Sequence, residues 1–211
     1  MFVVGLLIVL LIVLIGSWTV SQVSNAPPAG ATPVTSPVES APATPAPAFR
    51  LVASGDVLPH TALVARAKAY GAHSGQPYDF RPMLSAIQPI VSAADLAVCH
   101  IETPLSPSGR HLSGYPVFNG PPQVAAALRD TGYDACSTAS NHSMDQGAQG
   151  VAGTLRVLDG AGLRHAGIAR NPREAQPTLL TVKGVRVALL SYAYGLNGRR
   201  TRPAAAASAA G

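Results

Sequence analysis

Hydrophobic and polar positions divide the chain into stretches of different character. Residues 2–20 (FVVGLLIVLLIVLIGSWTV) carry no charge and are almost wholly apolar, which is long enough to cross a hydrocarbon core as a helix. A run of this length without a polar face argues against a buried core helix. Residues 25–48 (NAPPAGATPVTSPVESAPATPAPA) are dominated by Pro, Ala, Ser and Thr with one charge, Glu39. Such a composition cannot bury enough apolar surface to fold, and its prolines keep it extended, so it reads as a tether. From Phe49 the pattern changes to short apolar runs that end in polar or small residues, each followed by a stretch of helical spacing. That alternation predicts an α/β fold.

Within this part, strands are expected over residues 49–53, 96–101 and 134–138, with a short one near His165. Runs 178–182 and 185–192 flank Lys183-Gly184 and read as a β-hairpin. Helices are expected over 61–70, over 81–93 with Leu84, Ile87 and Val91 at helical spacing, and over 147–159, stopped by Gly160 and Gly162. Another is opened by Pro121-Pro122, where the missing N–H costs nothing, and runs to Gly132. Residues 199–211 (RRTRPAAAASAAG) show no period and are expected to be a disordered tail. The domain plan is therefore 1–22 anchor or signal, 23–48 linker, 49–198 folded domain and 199–211 tail.

For the apolar segment, a retained anchor competes with a cleaved export signal. The run exceeds an ordinary signal core, Trp18 sits at an interfacial position, and no clean small-x-small cleavage site precedes Pro27-Pro28. These features favour the anchor, a single pass in a bacterial cell membrane with the folded domain on the extracytoplasmic side. Only Met1 precedes the run, so no basic residues report its orientation.

Charge narrows the partners. The formal net charge is +5, and the basic residues concentrate late, among them Arg164, Arg170, Arg173, Lys183, Arg186, Arg199, Arg200 and Arg202. This favours anionic partners: lipid, a cell-wall polymer, a phosphate ester or a polyglutamate chain. Nucleic acid is argued against by export and by the lack of aromatic residues interleaved with basic ones. An Arg-rich, high-GC composition accounts equally well for the excess. The two cysteines, Cys99 and Cys136, each lie in an apolar strand-like run. Two buried thiols are expected, with a disulfide as the alternative in an oxidising compartment.

Three expected strands end in residues able to bind a metal or handle a proton: Asp56, Glu102 and the Asn141-His142 pair. Sites assemble at the carboxyl ends of parallel strands, where side chains distant in sequence converge. Carboxylates, an amide oxygen and an imidazole suit divalent ions such as Mn²⁺, Mg²⁺, Fe²⁺ or Zn²⁺, which activate water and neutralise a phosphoryl transition state. Singly, each has an ordinary reading: Gly55-Asp56 a turn, Glu102 a cap, Asn141-His142 a hydrogen-bonded loop. Their recurrence at successive strand ends points to a site.

The blocks LVASGDV, ADLAVCHIETPLS, GYDACSTASNHSMDQG and VALLSYAYGLNG resemble, in order and spacing, the CapA-type poly-γ-glutamate capsule-synthesis proteins, over residues 50–198. The resemblance implies a calcineurin-like metallophosphatase-type layered α/β/α fold and a metal-dependent hydrolase site for capsule or cell-envelope polymer synthesis. It implies Asp56, Glu102 and Asn141 as metal ligands and His142 as proton donor or phosphate contact, with Asp145 orienting His142 or capping the next helix. Anionic polymer or phosphate-containing substrates and other capsule-synthesis membrane proteins are the partners it implies.

The chain departs from the family pattern at three places. His100 stands where the family usually has Asn, Ser140 replaces the first Asn of Asn-Asn-His, and Leu58-Pro59-His60 replaces Met-Leu-Gly. His100 and His60 are candidate compensating ligands. A later His-x-Gly-x-Glu block of the family has no counterpart in residues 197–211. The expectation is therefore the front portion of such a domain, with an exposed sheet edge. Two alternatives to an enzyme follow, a non-catalytic factor that retains an envelope polymer and an inactive fragment.

Overall fold

The computed structural model describes residues 48–198. The expected anchor, nearly all of the linker and the tail lie outside them. The element order is β1 (Leu51–Val57), α1 (Thr61–Ser74), α2 (Arg81–Leu84), α3 (Gln88–Ser92), β2 (Leu96–Ile101), α4 (Gln123–Thr131), β3 (Ala135–Ser137), α5 (Gly147–Gly160), β4 (Arg164–Ala166), β5 (Thr178–Val182) and β6 (Val185–Leu189). Strands β1-β2-β3-β4 form one sheet in that order, all neighbours parallel, and β5-β6 form an antiparallel hairpin. Among the described residues, no helix is long and apolar enough to cross a membrane.

Strand β2 shows how the layers are built. Successive side chains point to opposite faces. Ala97, Cys99 and Ile101 go to the face that packs with Ala67 of α1, Val124 and Leu128 of α4, and Val151, Leu155 and Leu158 of α5. Leu96 and Val98 go to the other face, where Val182 and Val187 of the hairpin cover them. Ala135 and Ala166 meet Leu189 and Leu180 on that same side. Covered on both faces, β2 is a continuous apolar run rather than an alternating one. The α/β/α expectation is thus met on one face only: among the described residues, the second face carries the hairpin instead of helices.

The hairpin turn follows from its two central residues. Lys183 and Gly184 both have positive φ, 46° and 80°, the combination whose twist matches the strands it joins. Lys183 also reaches Asp95 at 2.9 Å, whose other oxygen accepts the Arg50 backbone N–H at 2.8 Å. One carboxylate therefore pins the hairpin tip to the starts of β1 and β2.

Two expectations are corrected. The helix expected over 81–93 is two short helices, α2 and α3, each with a proline in its first turn. Pro89 has no N–H, and its ring would collide with the carbonyl four residues earlier, so the chain breaks between them and restarts. Cys99 and Cys136 are a disulfide rather than free thiols. They stand opposite each other in the β2-β3 register, with Cα atoms 4.4 Å apart, a proximity that neither apolar run discloses alone. Helix α4 ends where expected, at Gly132, whose φ of 111° lets its N–H return to Leu128 and Arg129 carbonyls.

Two tests follow. Under denaturing, non-reducing conditions, a thiol reagent should find no free cysteine in the chain. Reduction should lower the unfolding free energy by about 4 kcal/mol, the loop-closure entropy for a separation of 37 residues. The second concerns Asp79, which accepts from the Arg81 guanidinium at 2.9 and 2.8 Å and from its backbone N–H at 3.0 Å. Chiefly through that side-chain bond, its pKa is lowered from 3.8 to about 2. A depressed carboxylate stabilises the fold above its unfolded pKa and loses that contribution as pH falls through its folded one. Acid titration of stability should therefore show a loss between about pH 4 and 2 that Asp79→Asn abolishes.

Candidate functional site

The site begins with an irregularity in β1. Ala53 stands opposite Val98, but Asp56 stands opposite His100, so one extra residue is taken up at Ser54-Gly55 as a β-bulge. The sequence reading ends the first strand at Ala53; the strand instead continues through the bulge to Val57. The bulge turns Asp56 onto the His100 row. His100 is in turn opposite Ser137 of β3. Residues in register on parallel strands share a face, so Asp56, His100 and Ser137 form a polar row across three strands.

The hydrogen bonds of this row fix the imidazole. Ser137 Oγ stands 2.7 Å from His100 Nδ1 and 3.4 Å from the Cys99 carbonyl. The serine therefore occupies Nδ1, and Nε2 is the nitrogen turned toward Asp56. Burial pushes the His100 pKa down, against the opposing pull of the Asp56 charge. Its Nε2 lies 3.8 Å from Asp56 Oδ1. That nitrogen is buried and has no hydrogen-bond partner among the described residues. A buried polar atom left unpaired costs about 1–3 kcal/mol.

Beyond the row opens a cavity of about 660 Å³ lined by Asp56, His100, Glu102, Ser140, Asn141 and the segment 192–198. Glu102 is the first residue past β2 and Asn141 lies in the loop after β3. Glu102 is held above the ordinary carboxylate range, first by burial and then by the charge of Asp56; His142 opposes and Asp145 adds to the rise. Crowded carboxylates of this kind are relieved by a cation. The donors fit one: carboxylate oxygens, the Asn141 amide and an imidazole nitrogen without a partner. Among the described residues, no three His, Cys, Asp or Glu side chains make a ready metal cluster; the donors line a shared cavity and include an amide.

Beside the cavity lies a buried polar pair. His142 Nδ1 meets Asp145 Oδ2 at 2.7 Å, and both side chains are nearly excluded from solvent. Asp145 Oδ2 also accepts the Phe118 backbone N–H at 2.7 Å, and Asp145 Oδ1 accepts from Asn197 Nδ2 at 3.0 Å. The same Asn197 amide donates to the Pro116 carbonyl at 3.0 Å. Phe118 packs edge-on against the His142 ring at 4.7 Å. Asp145 thus orients His142 rather than capping α5, whose N-cap is Gln146 without a side-chain bond. The bonded Nδ1 leaves Nε2 as the nitrogen available for proton transfer.

The structure gathers Asp56, His100, Glu102 and Asn141 around one cavity, with His142 near enough for its charge to act on Glu102. It does not gather His60. His60 is the N-cap of α1, its Nδ1 accepting the Thr61 N–H, and its ring packs against Phe118 at 5.6 Å. Sequence reasoning missed Ser137, Phe118 and Asn197. The last stands at the end of the block VALLSYAYGLNG, and its place in that block was the available signal.

Removing the carboxylate tests this network. Asp145→Ala leaves the Phe118 N–H, the His142 Nδ1–H and the Asn197 amide without their shared acceptor, and should lower stability by at least about 1–3 kcal/mol. Asn197→Ala, more exposed, should cost under about 1 kcal/mol. Urea denaturation of both variants measures the difference.

Comparison with known proteins bears on the same region. A family model described as bacterial capsule synthesis protein PGA_cap matches residues 50–210. Two uncharacterized proteins of Sinorhizobium fredii (strain NBRC 101917 / NGR234), y4uA and y4sH, are 34% and 33% identical over 155 residues. Each match covers 69% of this chain and 30% of the relative, so the chain spans 30% of the length of these curated relatives. A family match over most of the chain means that the chain belongs to the bacterial capsule synthesis protein family.

Proposed function

We propose that this domain is a metal-dependent, phosphatase-like hydrolase of capsule or cell-envelope polymer synthesis, tethered to the bacterial membrane by residues 2–20, which lie outside the described residues. The observation that carries the reading is the convergence of Asp56, Glu102 and Asn141, from three separate strand ends, on one cavity beside the His142–Asp145 pair. Asp56, Glu102 and Asn141 would hold a divalent ion. Such an ion supplies a Lewis acid that polarises a phosphoryl oxygen and lowers the pKa of bound water.

The chain's own groups do the rest. Asp145 holds His142 through Nδ1, which leaves Nε2 as the nitrogen that would carry the proton. Hydrolysis forms a bond from a water oxygen to phosphorus as the bond between phosphorus and the leaving oxygen breaks; the water gives up a proton to solvent, and His142 Nε2 would deliver one to the leaving oxygen. Ser140 Oγ donates to Asn141 Oδ1 at 2.9 Å, which orients the amide that would face the ion. The net charge of +5 suits a phosphate ester or an anionic polymer as substrate.

The test uses the full chain purified in detergent, with divalent metal content measured by mass spectrometry and turnover measured on a generic phosphodiester and a phosphomonoester. Metal-dependent turnover is expected, with both metal and activity lost in Asp56→Ala and Asn141→Ala. Asp145→Asn should retain metal and lose about 10- to 100-fold in rate. Absence of metal and turnover, with polymer binding retained, would replace the enzyme with a binding factor.

A further inference from the structure

His100 is the feature that the proposed site leaves unexplained. Its side chain is 3% exposed, its Nδ1 is committed to Ser137, and its Nε2 has no partner among the described residues. It lines the same cavity as Asp56, Glu102 and Asn141. A histidine with no role beyond packing would turn both nitrogens to partners or leave one in open solvent. This one is held by a serine at Nδ1 and turns its unpartnered Nε2 toward a carboxylate. That is the arrangement of a metal-ligating imidazole with an outer partner on its other nitrogen.

Distance permits the assignment. Two bonds of about 2.1 Å, one to nitrogen and one to oxygen, span at most about 4.2 Å, and His100 Nε2 lies 3.8 Å from Asp56 Oδ1. The alternatives for Nε2 are weaker. The 3.8 Å contact is too long for a hydrogen bond. A buried ring nitrogen without a partner, turned toward a carboxylate, is accommodated by a cation held between them.

We propose that His100 Nε2 and Asp56 share one metal ion, with Ser137 as the positioning residue, and that this nitrogen donor makes the site select a borderline ion of the Zn²⁺ class over Mg²⁺. The inference rests on the metal site proposed above and adds its selectivity. Imidazole favours zinc and related ions, whereas an all-oxygen set of carboxylates and amide favours magnesium.

The experiment titrates the full chain in detergent with Zn²⁺, by competition against a chromophoric chelator, and with Mg²⁺ by calorimetry. Wild type, His100→Asn, Ser137→Ala and Asp56→Asn are compared, with the melting of each recorded. His100→Asn should weaken Zn²⁺ by at least about 10-fold and leave Mg²⁺ within about twofold, while Asp56→Asn should lose both ions. X-ray absorption of the Zn²⁺-loaded wild type should show nitrogen in the metal shell, a reading that stands even if His100→Asn fails to fold. Ser137→Ala keeps the imidazole and should weaken Zn²⁺ by about 10-fold.

Unchanged Zn²⁺ affinity in folded His100→Asn, or a metal shell of oxygen only, would overturn the role of His100. If Asp56→Asn still abolishes binding in that case, the underlying metal site stands. If Asp56→Asn and His100→Asn both bind Zn²⁺ as wild type does, the ion sits elsewhere and both readings fall.

Discussion

The register of the parallel sheet, with one residue out of step in its edge strand, is the constraint on which the site depends. Side chains alternate between faces along a strand, so a shift of one residue moves a group from one face to the other. Had β1 run on from Ala53 without the bulge at Ser54-Gly55, Asp56 would stand opposite Ile101, outside the row that holds His100 and Ser137. Among the described residues the bulge belongs to an edge strand, where an irregularity disturbs one neighbour only. Central strand β2 carries no such freedom, because its Ala97, Cys99 and Ile101 are locked against the helices and its Leu96 and Val98 against the hairpin.

Electrostatics completes what register begins. Asp56, Glu102 and Asp145 bring acidic groups close enough that Glu102 is held above its ordinary range, burial being the larger cause. Asp145 is supplied with donors from three parts of the chain, Phe118, His142 and Asn197. Asp56 and Glu102 face the cavity. The two environments divide the carboxylates into one that organises its neighbours and two that remain open to a ligand. Membership of the capsule synthesis family is consistent with such a division, and the chemistry performed there is the proposal that metal and turnover measurements address.

Much of this was legible in the sequence because it depends on local pattern. The β2 run, the helix closed by Gly132, the helix beginning at Gly147 and the Lys183-Gly184 hairpin follow from apolar periodicity and turn residues, and each is found within a few residues of its expected place. The candidates Asp56, Glu102 and Asn141 were legible for the same reason, since polar residues after apolar runs mark where strands stop, although β1 runs on through Asp56 to Val57. What escaped depends on non-local geometry. Pairing of Cys99 with Cys136 is a consequence of register, the bulge is invisible until two strands are aligned, and Asn197 is 52 residues from the Asp145 that it serves. His60 shows the converse, since a metal-competent residue type near a motif was claimed by the nearest backbone N–H. Pro89 was readable and was outweighed by helical spacing that the ring could not accommodate.

The hairpin has a consequence beyond covering the sheet. The chain leaving β6 runs along the cavity wall and delivers Asn197 to Asp145. Val182, Val187 and Leu189 anchor that segment by packing on Leu96, Ala135 and Ala166. A purely apolar contact thus acts as the hinge pin of a polar device. How firmly His142 is held is governed in part by greasy residues that touch neither it nor Asp145, and the orientation of the proposed proton carrier is inherited from the seating of two strands on the back of the sheet.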